Sequence, residues 1–95
     1  MVDKIKIRIW LLIEGRVQGV FFRDYTKKIA DLFNLTGWVR NLLDGRVEIV
    51  FEGEKDAIEG AIQEIKKGPP LARVDNVEIK WLPYQGEFNS FKILY

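Results

Sequence analysis

The stretch Gly15-Arg16-Val17-Gln18-Gly19-Val20-Phe21-Phe22-Arg23 decides how this chain is read. Before it, Ile5, Ile7, Ile9, Leu11 and Ile13 alternate with Lys4, Lys6 and Arg8, a period of two that predicts a strand over 4–14 with one buried face. After it, Phe22, Tyr25, Thr26, Ile29, Ala30, Leu32 and Phe33 recur at helical spacing, with Asp24, Lys27, Lys28 and Asp31 opposite. The stretch therefore sits where a strand turns into a helix N-terminus. Backbone N–H groups there have no intrahelical partner, and the helix dipole puts partial positive charge at that end. Gly15 and Gly19 let the backbone curl close to a ligand with no Cβ in the way. Arg23, one turn into the helix, adds a planar fork of donors that suits phosphate. Its charge opposes the dipole unless an anion sits there, which favours a functional reading. The residues together predict a phosphate cradle.

Outward from the cradle, Asn34 stands where a left-handed helix cap is wanted. Leu35 to Asn41 and Arg46 to Glu52 read as two strands joined by Leu42-Leu43-Asp44-Gly45, an Asp-Gly hairpin signal. Residues 54–67 carry a second apolar stripe, Ala57, Ile58, Ala61, Ile62 and Ile65, ended by Gly68-Pro69-Pro70. Arg73 to Leu82 is a fourth strand with Val77, Ile79 and Trp81 expected inside, and Ser90 to Tyr95 a short last one. The order is that of a ferredoxin-like βαββαβ fold, an α+β sandwich: an antiparallel sheet with both helices on one face. Such a topology brings Arg23 and Asn41 to one site.

Ninety-five residues predict a single domain over 1–95 with a modest core. A net charge of +1 argues against broad capture of nucleic acid. With no cysteine and no histidine, thiolate nucleophiles, disulfides, an imidazole base and the commonest metal ligands are all excluded. No apolar run nears the roughly 20 residues that span a bilayer, and the N-terminus does not read as a signal peptide. The expectation is a cytoplasmic monomer with no metal, no cofactor and no membrane or nucleic-acid partner. The glycine loop is no Walker A motif, since Val20 and Phe21 stand where lysine and a hydroxyl are needed.

The string GRVQGVFFR resembles one signature of the acylphosphatase family, and Gly37-Trp38-Val39-Arg40-Asn41 with Asp44-Gly45 resembles the other, in the same order and spacing. The resemblance runs over essentially the full chain and implies the same sandwich. It also implies hydrolysis of small-molecule acyl phosphates, with inorganic phosphate as product and inhibitor. It assigns phosphate binding to Arg23, water orientation to Asn41, and the cradle to the backbone of Gly15, Arg16, Val17, Gln18, Gly19 and Val20. The side chains of Arg16 and Gln18 are expected to be solvated. Phe21 is bulkier than the small residue often found there and is expected to narrow the mouth. Such an inventory suits a substrate with a good leaving group: a carboxylate leaves unprotonated, its conjugate acid having a pKa of about 4. Two alternatives stand beside this one. The first is a phosphate- or carboxyphosphate-binding module without turnover, like the domain that begins larger carbamoyl-transferring maturation proteins; the ending at Tyr95 favours a stand-alone enzyme over it. The second is an RNA-binding ferredoxin-like domain using Trp10 and Trp38.

Overall fold

In a computed structural model that describes residues 4–95, the alternating N-terminal segment forms β1 (Lys6–Arg16). It is followed by α1 (Phe22–Leu32), β2 (Thr36–Asn41), β3 (Val47–Glu54), α2 (Lys55–Lys67), β4 (Arg73–Pro83) and β5 (Phe91–Leu94). The sheet order is β4-β1-β3-β2-β5. Strands β4, β1, β3 and β2 pair antiparallel, as the pattern predicts. The fifth departs from it: β5 runs parallel to β2, with Gly37 opposite Phe91 and Arg40 opposite Leu94. The sheet is therefore mixed. β4 and β5 lie at opposite edges, so residues 84–90 must cross the sheet before entering beside β2.

The periodicity of two becomes a buried face. Ile9, Leu11, Ile13, Val39, Val47, Ile49 and Phe51 of the sheet pack in one cluster with Phe22, Ile29, Ala30, Ile58, Ala61, Ile62 and Ile65 of the helices. Each buried aliphatic or aromatic side chain contributes about 1.5–3 kcal/mol from area removed from water. Thr26 is buried among them, and its hydroxyl donates to the Phe22 carbonyl at 2.8 Å, which satisfies it within the helix. Two apolar positions behave otherwise. Leu32 is exposed on the outer side of α1. Trp81 is 52% exposed although it pairs with buried Ile9, because β4 is an edge strand with no neighbour on its outer side.

On the opposite face, Glu48 accepts from Trp10 Nε1 at 2.7 Å and from Arg40 Nε at 2.6 Å. The crossing segment is fastened at the other end of the same face. The Gln85 amide donates to the buried Glu52 carboxylate at 2.8 Å, and Arg8 pairs with Glu87. No described helix is long and apolar enough to cross a membrane.

Because β1 and β2 each run antiparallel to β3, they are parallel to one another, and β5 runs with β2. The carboxyl ends of β1, β2 and β5 therefore meet at one end of the sheet, beside the start of α1. That convergence builds the site.

Candidate active site

β1 runs two residues further than the alternation predicts, since Gly15 pairs with Val74 and Arg16 with Arg73 after a register shift between Glu14 and Gly15. The loop proper is Val17 to Phe21. Val17 and Val20 are buried in the core and hold it down, while Gly19 is exposed with φ of 73°. Phe21 caps α1 in the left-handed region (φ 64°, ψ 28°), with no side-chain capping bond. Among the described residues, the backbone N–H groups of Val17, Gln18, Gly19, Val20 and Phe21 meet no acceptor. Free N–H groups at a helix start, with the dipole behind them, form a ready anion site.

Arg23 lies in the first turn, against the dipole. Its guanidinium stacks over the Tyr95 ring with 4.6 Å between Cζ and centroid, and Nη1 donates to the Leu94 carbonyl at 3.3 Å. The end of β5 thus offers the partial negative charge and π face that hold a cation at the wrong end of a helix. Lys27, one turn on, reaches the Phe91 carbonyl of the same strand at 3.2 Å.

Asn41 is the last residue of β2. Its Oδ1 is buried and has no hydrogen-bond partner among the described residues. An orphan buried acceptor costs about 1–3 kcal/mol, so its persistence calls for a donor from outside the protein. Beyond Asn41 the hairpin closes on itself. The Leu42 amide donates to the Arg46 carbonyl at 2.8 Å and the Gly45 amide to the Leu42 carbonyl at 3.2 Å. Gly45 has φ of 97°, which makes a three-residue loop with a glycine bulge. Asp44 accepts from Arg46 Nη2 at 2.6 Å and Nε at 2.9 Å, and this guanidinium holds its carboxyl below the usual range.

A cavity of about 330 Å³ opens here, with Val17, Gly19, Phe21, Arg23, Asn41 and Tyr95 among its walls. Arg23 and Asn41, eighteen positions apart in sequence, face it together. Of the six residues expected to form the cradle, Val17 and Gly19 line it, whereas Gly15, Arg16, Gln18 and Val20 do not. Gly15 is bound into the β1–β4 ladder and Arg16 is an exposed residue of that same pairing. Gln18 is not solvated as expected: its Nε2 donates to the carbonyls of Leu42 at 2.7 Å and Arg46 at 2.9 Å. Tyr95 and the Leu94 carbonyl are what the sequence reading missed. The available signal was Arg23 itself, a cation in a first helical turn that needs an acceptor nearby. A larger hollow of about 410 Å³ lies around Lys6, Asn34, Glu52 and Glu54. Its two carboxylates are matched by Lys4 and Lys6, and it lies away from the free amides at the start of α1, so size alone does not mark the site.

A family model described as Acylphosphatase matches residues 9–93. The acylphosphatase of Pyrobaculum islandicum is 53% identical over 89 residues, which is 93% of this chain and 94% of that protein. The crystal structure of acylphosphatase from Bacillus subtilis is 35% identical, with a TM-score of 0.91 over 94% of this chain and 99% of that one. Full-length HypF, in its phosphate- and nucleotide-bound form, is 32% identical with a TM-score of 0.86; the match covers 99% of this chain and 12% of that one.

Proposed function

This chain belongs to the acylphosphatase family, and on that premise we propose that it hydrolyses acyl phosphates by in-line attack of water, as a single domain over residues 1–95. The phosphoryl group sits against the free amides of Val17 to Phe21, with the guanidinium of Arg23 across its equatorial oxygens. Asn41 holds the water. The water oxygen bonds to phosphorus, the bond from phosphorus to the acyl oxygen breaks, and the carboxylate leaves with the electron pair. Its conjugate acid has a pKa of about 4, so no general acid is needed. The water's proton passes to an oxygen of the phosphoryl group, since Asn41 cannot take it and no imidazole or thiol exists in the chain.

The observation that carries this reading is the orphaned Asn41 Oδ1 at the cavity that Arg23 and Gly19 also line. An acceptor in that position suits an O–H donor, and a water bound there would stand beside a phosphoryl group in the amide loop. Arg23 suits the role by geometry as well as charge. A planar fork can follow charge that spreads over oxygens in the transition state, which a point charge cannot.

The likeness to a small part of full-length HypF supports a second reading, a phosphate-binding module without turnover. One assay separates the two. Release of phosphate from acetyl or benzoyl phosphate is measured with a chelator present and a phosphate monoester as control. Turnover of the acyl phosphates with the monoester untouched is expected. Phosphate binding without turnover leaves the module; hydrolysis of both substrates overturns the leaving-group argument.

A further inference from the structure

We propose that the side chain of Gln18 is a positioning residue: it keys the phosphate loop to the β2–β3 hairpin and so sets where the water on Asn41 stands relative to phosphorus. This rests on the reading of Asn41 as the water holder, but the mechanical coupling can be observed without turnover.

The geometry is specific. A glutamine amide nitrogen carries two hydrogens, and both are used, one to the Leu42 carbonyl at 2.7 Å and one to the Arg46 carbonyl at 2.9 Å. Leu42 follows Asn41 directly, and Arg46 precedes Val47, the residue opposite Asn41 in the ladder. The tether therefore grips both arms of the hairpin one residue from the catalytic amide. Gln18 sits between Val17 and Gly19, two residues whose atoms line the cavity. A single side chain thus spans from the loop that receives the phosphoryl group to the turn that aims the water. A second link, weaker and more exposed, lies alongside: Arg46 Nη1 stands 3.7 Å from Glu14 Oε1 of β1.

These bonds are not needed to complete the hairpin. Both carbonyls that receive Gln18 already accept from within the turn, Arg46 from the Leu42 amide and Leu42 from the Gly45 amide. Removing Gln18 leaves no buried carbonyl orphaned, and the turn keeps its own closure. What is lost is the registration between two separately built pieces. Reactivity in line is steep in such registration, and a misplacement of about 1 Å can cost on the order of 100-fold. Without the tether, the loop retains its own anchors, buried Val17 and Val20, so it still offers its amides to phosphate.

Three expectations follow from that separation. Gln18→Ala and Gln18→Glu should lower kcat about tenfold or more while the inhibition constant of inorganic phosphate moves less than about threefold. The glutamate keeps the shape but presents a carboxylate to two carbonyl oxygens, so it should be no better than alanine. In an Asn41→Ala background, Gln18→Ala should change kcat less than about twofold, because a tether that acts through Asn41 has nothing left to position. A merely structural side chain would instead multiply its loss onto that of Asn41→Ala.

The coupling itself is read by titrating inorganic phosphate into 15N-labelled wild type and Gln18→Ala, following the amides of Leu42, Leu43, Asp44, Gly45 and Arg46. In wild type they should shift with the same saturation as those of Val17 to Val20. In Gln18→Ala the loop amides should still respond and the hairpin amides should not. Hairpin shifts that persist in Gln18→Ala, or none in wild type, overturn the proposal. So does a phosphate inhibition constant that rises in step with the loss of kcat, which would make Gln18 part of the cradle. Should the wild type show the coupled shifts yet hydrolyse no acyl phosphate, the proposed reaction fails and the tether stands.

Discussion

The two glycines of the loop look alike in sequence, and the structure gives them different work, which alanine can separate. A Cβ built on Gly15 would lie 2.0 Å from the Arg73 carbonyl oxygen and 2.9 Å from the Asp75 nitrogen, at φ of 133°. Both neighbours are backbone of the paired strand, so neither can swing away. Overpacking against fixed atoms costs about 1–3 kcal/mol. A disfavoured backbone region adds about 1–3 kcal/mol. A total near 4 kcal/mol is a large share of the roughly 5–15 kcal/mol that keeps a domain folded. At about 4–8 °C per kcal/mol for a chain of this size, Gly15→Ala should melt on the order of 15 °C or more below wild type. A Cβ on Gly19 would meet nothing within 4 Å, at φ of 73°. Its cost is the left-handed conformation alone, about 1–2 kcal/mol. That methyl group, however, projects from a residue that lines the cavity and would crowd the phosphoryl oxygens. Gly19→Ala should therefore keep most of its stability and lose about tenfold or more in phosphate affinity, some 1.4 kcal/mol. Thermal unfolding and the phosphate inhibition constant decide it. Equal falls in melting temperature for the two variants, or an unchanged inhibition constant in Gly19→Ala, would refute the division of labour.

Arg23→Lys should be nearly as inactive as Arg23→Ala and should weaken phosphate inhibition as much, because a point charge lacks the bidentate fork; near wild-type turnover in the lysine variant would show that charge alone suffices. Phe21 is 72% exposed and held at positive φ, so Phe21→Gly should leave the melting temperature unchanged or slightly raised, within about 1 kcal/mol, where a buried phenylalanine would cost about 3–5 kcal/mol. By widening the mouth it should also raise kcat/KM for benzoyl over acetyl phosphate; a fall in that ratio would make Phe21 a wall on which the acyl group rests. Asp44, held below its ordinary range by Arg46, contributes stability above the unfolded carboxyl pKa and loses it as pH falls through the folded one. The difference in melting temperature between wild type and Asp44→Asn should therefore be constant from neutrality down to about pH 4 and shrink below it; a difference that is independent of pH throughout would show that the ion pair is not its source.

Where one periodicity governs a segment, the sequence was enough. The alternation in β1 from Ile7 to Ile13 and the stripes of α1 and α2 bury most of the face they announce, with Ile5 before the strand and Leu32 on the outer side of α1 left exposed, because water removes apolar side chains whatever their partners. Asn34 and Gly68, at φ of 56° and 69°, were legible for a local reason, since few residues accept the conformation that ends a helix. The failures all depend on what lies beside a segment rather than within it. Nothing in Phe91–Leu94 says which edge it will join or in which direction, so its parallel pairing with β2 was invisible. Trp81 satisfies the alternation of β4 yet stays exposed, because an edge strand has a neighbour on one side only.

The site divides along the same line. Gly19 and Arg23 stood out because amide exposure and a fork of donors are properties of single positions, Asn41 only because Gly37 to Asn41 resembles a family signature, and the ferredoxin-like topology brings all three to one cavity. Gln18 was not, since solvation is the sound default for a glutamine in a loop, and only the approach of the hairpin gives its two hydrogens somewhere to go. Tyr95 was missed for the same reason, as its ring gains meaning only where β5 returns it to α1. The residues proposed to contact a phosphoryl group are thus read from chemistry or from a signature string. A residue proposed to fix the distance between them, such as Gln18, is read from its tertiary contacts, because its chemistry is ordinary and only its span is informative.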